Sequence, residues 1–215
     1  MASIKKYKKT LILTTILTLL PMVIGFIFWN KLPDQIATHF GSNGEPDGWS
    51  SKAVAVIGLP LLLTGVHLAC FFITLNDPKK QRIDPKLFKL ILWLCPVVSW
   101  FGNGSTYAHA LDMELNVTNI AMILLGIIFI IIGNYLPKAR QNYTVGIKLP
   151  WTLHDEENWN RTHRLAGKLW MVCGFLFVIL SFFGLGASWM AMILAAIMVL
   201  VPTAYSFLYY LKTNK

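Results

Sequence analysis

Charge is what this sequence has least of. Of its 215 residues only 13% are charged, against 55% hydrophobic. A soluble domain of this length needs a charged shell that so few residues cannot supply. Acidic residues are the scarcer sign, 10 against 19 Lys and Arg, for a net charge of +9. That excess does not imply nucleic acid. The basic residues form short clusters between apolar runs, with no basic face, so no direct nucleic-acid binding is expected. Cysteine is also sparse. Cys70, Cys95 and Cys173 all lie inside apolar runs, and their odd number argues against a disulfide framework and for small packing side chains. Nucleophile elbow, HExxH, phosphate-binding loop and carboxylate pair with a base are all missing, so neither cofactor nor metal is expected.

Uncharged runs, by contrast, are plentiful. A bilayer core needs about 20 apolar residues in a helix. Leu11–Trp29, Ala53–Leu75, Leu90–Leu111 and Val117–Leu136 each meet that length. The run Leu169–Leu211 is roughly twice as long as one span, so it must fold back, and Gly184-Leu185-Gly186-Ala187-Ser188 is the turn signal. Two spans result, 165–183 and 189–211. The expected fold is an all-α integral membrane protein with six transmembrane helices. The first helix has the basic start of a signal peptide, Lys5-Lys6-Tyr7-Lys8-Lys9, but its apolar run is too long and no small-x-small site follows, so it reads as retained.

Orientation follows from Lys and Arg. Of the 19 basic residues, only Lys31 and Lys52 fall outside the alternate set formed by the N-terminus, the segment around 79–89, the segment 137–168 and the C-terminus. Both termini are therefore expected in the cytoplasm. The segment 30–52 becomes the main external loop and 137–164 the main cytoplasmic one.

The external loop is rich in turn signals, Asn43-Gly44 and Glu45-Pro46-Asp47-Gly48, around the apolar Ile36 and Phe40. It reads as a folded cap or short hairpin, with Trp49 at the lipid headgroups. His39, Asp34, Glu45 and Asp47 have no ligand spacing, and turn and surface chemistry is the preferred reading. The cytoplasmic stretch, NYTVGIKLPWTLHDEENWNRTHRLAG, starts with a β-like Tyr143-Thr144-Val145 and a Gly146-Ile147-Lys148 turn. Thr152 and Asp155 fit a capping box, and the acidic Asp155-Glu156-Glu157 suits a first helical turn. The helix then runs into the membrane, with Trp151 and Trp159 as interfacial anchors and basic residues on lipid headgroups.

Helix three is the most polar span, with Ser99, Asn103, Ser105, Thr106, Tyr107 and His109, while His67 is the other titratable group inside a span. A transporter would place its pathway there. Interhelical hydrogen bonding, with Gly102 and Gly104 permitting close approach, is the preferred reading because no span has a central Asp, Glu, Lys or Arg. A membrane enzyme using His154, His163 and the acidic triplet is the third reading. Capping and headgroup contact account for those residues more simply.

Both loops also resemble a known family. The external LPDQIATHFGSNGEPDGWSSK is similar to a bacterial LP…HF…G…DGW…K pattern. The cytoplasmic stretch resembles the signature of the SdpI-type immunity proteins, G-I-R/K-x-P-W-T-L followed by W-x-x-T-H. The matching residues are Asn142, Gly146, Ile147, Lys148, Pro150, Trp151, Thr152, Leu153, Trp159, Thr162, His163 and Gly167. Lys148 stands where the family often has Arg, and Ala37 where Pro is common. The resemblance implies a membrane protein, not an enzyme, that protects a bacterial cell from a secreted membrane-active antimicrobial peptide. It further implies a sensor that recruits an ArsR-like repressor to the membrane. Toxin recognition is then expected at His39, Phe40 and Trp49. Signalling is expected at Gly146, Lys148, Pro150, Trp151, Thr152, Trp159, Thr162 and His163.

The sidedness is open to direct measurement. Single cysteines at Ser42 and Asp155, in a background lacking the three native ones, are expected to react with an impermeant thiol reagent in intact cells at position 42 alone. Reaction at 155 would reverse the topology.

Overall fold

A bare peptide group in lipid is costly, which leaves the helix as the default element for so apolar a chain, because it satisfies its own backbone. The computed structural model, which describes residues 2–41, 44–183 and 188–213, follows that rule. In chain order it has α1 (Ala2–Ile27), strands β1 (Gln35–Phe40) and β2 (Pro46–Ser51), α2 (Leu59–Leu75) and α3 (Pro85–Ala110). There follow α4 (Val117–Tyr135), the short α5 (Pro150–His154), α6 (Glu156–Phe182) and α7 (Ser188–Thr213). Among the described residues six helices are long and apolar enough to cross a membrane: α1, α2, α3, α4, α6 and α7. The protein is a multi-pass, mostly helical membrane protein. Most of the turn expected at Gly184–Ser188, and the Ser42-Asn43 part of the external turn, lie outside the described residues.

The chain forms two compact units. The first is Met1–Leu75 with Phe88–Val117. It holds α1, α2, nearly all of α3 and the antiparallel hairpin β1–β2, whose register pairs Gln35 with Ser51 and Ala37 with Trp49. Ile36 and Ala37 are both buried, and Ile36 packs with Leu32, Ala55, Val56 and Tyr107. A π-helical turn, Val54–Gly58, leads into α2. Pro60, which has no N–H to offer the preceding turn, follows directly where the ladder changes register.

Polar side chains stitch the three helices. The Ser99 hydroxyl of α3 donates to the Thr18 carbonyl of α1 at 2.8 Å, and Trp100 Nε1 donates to the Leu17 carbonyl at 3.0 Å. Thr14 on α1 meets His67 on α2 at 3.1 Å. The close approach expected at Gly102 and Gly104 is not there. A Cβ at either would meet nothing within 4 Å. The tight spot is Gly25, where a Cβ would lie 2.6 Å from Val56 and 2.7 Å from the Tyr107 hydroxyl. The two α3 glycines point away from the helix contact, which is made by larger polar groups on the other faces.

The second unit is Asn76–Leu87 with Thr118–Lys215. Here α4 and α6 cross backbone to backbone. A Cβ on Gly126 would stand 2.7 Å from the Gly174 carbonyl, and one on Gly133 would stand 2.8 Å from the Gly167 carbonyl. Small residues permit that approach between helices in lipid, where packing rather than the hydrophobic effect holds helices together. Met122, Cys173, Phe177, Leu194 and Met198 fill the space around it with α7.

Candidate functional site

The motif stretch folds into an ordered loop laid over the start of α6. Asn142 nucleates it. Its Oδ1 accepts from the Thr144 and Val145 N–H groups at 2.9 and 2.6 Å, while its Nδ2 donates to the Arg140 and Val145 carbonyls at 2.8 and 3.0 Å. All the hydrogen-bonding capacity of a buried amide is thus engaged on local backbone, an Asx arrangement that bends the chain. This overrides the β-like character of Tyr143-Thr144-Val145. No strand forms there, because their amides are taken by side chains before any ladder can claim them.

Gly146 comes next, with φ at +124°. An L side chain is strained in that region. It would also strike the His163 ring, and its Cβ would lie 2.8 Å from the Trp159 ring. The glycine lets the loop lie flat on the stacked pair Trp159–His163, whose ring centroids are 4.0 Å apart. Beyond it the Ile147 N–H donates to His163 Nε2 at 2.9 Å. His163 Nδ1 lies 2.7 Å from the Trp159 carbonyl, which only accepts. The proton must therefore sit on Nδ1, and the ring is a neutral imidazole with both nitrogens used. Trp159 is fully buried and donates from Nε1 to the Ala139 carbonyl at 2.7 Å.

The cap of α6 differs from the expected one. Asp155 is the N-cap, its carboxylate accepting from the Glu157 N–H at 2.8 Å. Thr152 lies a helix earlier, in α5. Its hydroxyl accepts from the Leu149 N–H and donates to the Ile147 carbonyl, both at 2.9 Å. Pro150 at the first turn of α5 breaks the helix from the loop before it, so two short caps replace one.

Four residues that are not among the matching motif positions support this loop and its helices. Asp77, in the α2–α3 linker, is 4% exposed. Its carboxylate accepts from the Lys79 N–H at 2.7 Å, the Tyr143 N–H at 2.9 Å and the Thr144 hydroxyl at 2.5 Å. Gln141 donates from Nε2 to the Thr152 and Leu153 carbonyls and accepts from Lys79 Nζ at 2.7 Å. Asn158 and Ser206 join α6 to α7. Asn158 Oδ1 accepts from the Ser206 and Thr162 hydroxyls, and its Nδ2 donates to the Ser206 carbonyl. Trp151 Nε1 donates to Ser206 Oγ at 2.7 Å, and its ring leans on Phe207 and Tyr210. None of the four carries a sequence signal, because each has a partner distant in the chain.

The expected signalling residues therefore divide. Gly146, Thr152, Trp159, Thr162 and His163 form the inside of the platform. Lys148 and Pro150 are exposed and Trp151 is half-buried, with Lys148 Nζ donating to the Thr144 carbonyl at 3.1 Å. Neither tryptophan is a free interfacial anchor, since both indole N–H groups are bonded inside the protein. His154 is exposed on the Pro150 carbonyl at 2.6 Å and does not meet the buried His163.

The hairpin residues are placed differently. His39 is open to solvent and paired with the Asp47 carboxylate. Phe40 packs edge-on against His109 at 5.6 Å, and Trp49 is 58% exposed. Trp49, Lys31, Gln35, His109 and Asp112 help to line a cleft of about 420 Å³ beneath the hairpin.

Comparison with known proteins follows this division. Residues 138–206 match the SdpI/YfhL protein family, which takes in the platform from Ala139 to Ser206. Residues 16–64 match a domain of unknown function, DUF1648, which takes in the hairpin. The chain is 29% identical over 208 residues to the immunity protein SdpI of Bacillus subtilis, covering 94% of this chain and 97% of that one. No solved structure matches it.

The platform gives a measurable expectation. Gly146→Ala forces a side chain into the left-handed region and onto the rings, at a cost of about 1–3 kcal/mol. Asp77→Ala removes charge-assisted hydrogen bonds worth about 1.5–3 kcal/mol. Each is expected to speed hydrogen exchange at the Tyr143 to Ile147 amides, while Lys148→Ala leaves it unchanged.

Proposed function

We propose that this chain, which belongs to the SdpI/YfhL protein family, is a membrane immunity protein that protects its cell from a secreted membrane-active peptide. The observation that carries this reading is the likeness to the immunity protein SdpI along nearly the whole of both chains. Binding, not turnover, is the mechanism. The hairpin is the external recognition element, and its exposed Trp49 lining a cleft, its solvent-open His39 and its half-buried Phe40 suit contact with a peptide. Aromatic side chains supply large contact area at low entropic cost, which makes Trp49 the strongest candidate of the three.

The motif platform is the cytoplasmic reporting element. The basic residues that border it support that side of the membrane. A rigid surface suits a protein partner such as an ArsR-like repressor, because little ordering is lost on docking. The linker Asn76–Leu87 joins α2 directly to α3 and belongs to the platform's unit, so a shift of either helix would pull on Asp77 and through it on Tyr143 and Thr144. A toxin drives such a shift only to the extent that it binds the two states differently, and about 1–3 kcal/mol of coupling gives a 5- to 150-fold bias.

Expression in a sensitive cell is expected to confer resistance to the peptide encoded beside this gene. Trp49→Ala, His39→Ala and Phe40→Ala are expected to lower protection at unchanged protein level. Lys148→Ala and Trp151→Ala are expected to keep protection and lose toxin-dependent recruitment of the repressor to membranes. Resistance absent from the unaltered protein would overturn the immunity reading. Protection and recruitment lost together in the Lys148 variant would overturn the reporting role alone.

A further inference from the structure

Polar side chains of the first unit follow one another along α1–α3, bonded from His67 to Asn103 partly through backbone carbonyls. The Thr14 hydroxyl has a single hydrogen, which it donates to the Thr10 carbonyl at 2.8 Å, so it accepts from His67 Nε2 at 3.1 Å. His67 therefore carries its proton on Nε2 and presents a bare acceptor at Nδ1. One turn along α1, the Thr18 hydroxyl donates to the Thr14 carbonyl at 2.7 Å, and the Ser99 hydroxyl of α3 donates to the Thr18 carbonyl. Asn103 Nδ2 donates to the Ser99 carbonyl at 2.9 Å and to Ser99 Oγ at 3.3 Å. Those acceptors fix the amide's orientation and leave Oδ1 on the far side. Tyr107 comes one further turn along α3.

Among the described residues three buried side-chain atoms have no protein hydrogen-bond partner: His67 Nδ1, Asn103 Oδ1 and the Tyr107 hydroxyl. Their side chains are 0%, 1% and 6% exposed. Two are pure acceptors and the third is a hydroxyl that donates and accepts. Three side-chain polar groups orphaned in a single small helical unit is a pattern that native proteins resolve with a bound protic molecule. Asn103 and Tyr107 are four residues apart on one helix and so share a face. Tyr107 also lines an apolar groove of about 360 Å³ with Pro21, Ile24, Phe28 and Trp100, which brings this end of the polar series to the protein surface.

We propose that the first unit holds internal water, one site joining Asn103 Oδ1 to the Tyr107 hydroxyl and a second on His67 Nδ1. The ligand is small and donates hydrogen bonds. Larger protic ligands are excluded at His67, where Thr14 and the surrounding helix faces leave the ring fully buried. Water entering beside Tyr107 makes α1–α3 a hydrated unit within the membrane. This inference stands apart from the immunity reading and neither depends on the other.

Removing an orphaned group that binds nothing relieves a penalty, whereas removing one that holds water breaks bonds, so the two cases differ in sign. The full chain is held in lipid nanodiscs. Tyr107→Phe is expected to lower its thermal midpoint by about 2–4 °C. Millisecond hydroxyl-radical labelling by X-ray radiolysis of the unaltered protein, which activates bound water in place, is expected to mark His67 despite its complete burial. A midpoint that stays or rises in Tyr107→Phe, or a His67 ring left unmarked, overturns the proposal.

Discussion

A single backbone amide, that of Ile147, meeting a single ring nitrogen of His163, sets the form of the second unit. That bond requires the neutral imidazole with its proton on Nδ1, which in turn requires the Trp159 carbonyl as acceptor. It requires the loop to lie within contact distance of the ring, which only a glycine at 146 permits. It also requires Trp159 to lie flat beneath, held by the Ala139 carbonyl. Each condition brings in a motif residue. Gly-Ile, the tryptophan and the Thr-His pair are spaced as they are because one loop is folded back onto one helical face.

The same demand, that no buried polar group be left alone, is met in different ways by the two units. In the second, Asn142, Gln141, Asn158 and Thr152 have both donors and acceptors engaged, and the buried Asp77 carboxylate is surrounded by three donors. A charge is affordable there only because those donors replace the water it has lost. In the first unit the helices use polar side chains to reach each other's carbonyls, and the ledger is left with His67, Asn103 and Tyr107. A chain of so few charges therefore concentrates its polar chemistry in two places, one closed upon itself and one open.

Helix number and type were legible in the sequence because lipid leaves so few alternatives, and long uncharged runs such as Val117–Leu136 say so directly. The hairpin was legible too, from Gly44 with its positive φ and from Gly48, where a Cβ would lie 3.0 Å from His39. The motif was visible as a string, but its packing was not. Trp159, expected as an interfacial anchor, and His163, four residues on, form the buried floor. Periodicity shows which residues share a face and says nothing of what covers it. Asp77, Gln141 and Ser206 were out of reach for a related reason, since their hydrogen bonds span 66, 11 and 48 positions of chain. Gly102 and Gly104 misled in the opposite direction: small residues in a span suggested a crossing that Gly126, Gly133, Gly167 and Gly174 make instead.

The tautomer of His163 is the most direct test of this account. Nitrogen NMR of the ring, with the protein labelled at histidine and held in lipid at neutral pH, resolves the two nitrogens by their shifts. The structure predicts a neutral ring with a protonated Nδ1 and an Nε2 that accepts a hydrogen bond. A Gly146→Ala variant is predicted to lose that Nε2 bond. A proton on Nε2, or an imidazolium in the unaltered protein, would mean that the loop does not rest on this ring, and the platform as described would not exist.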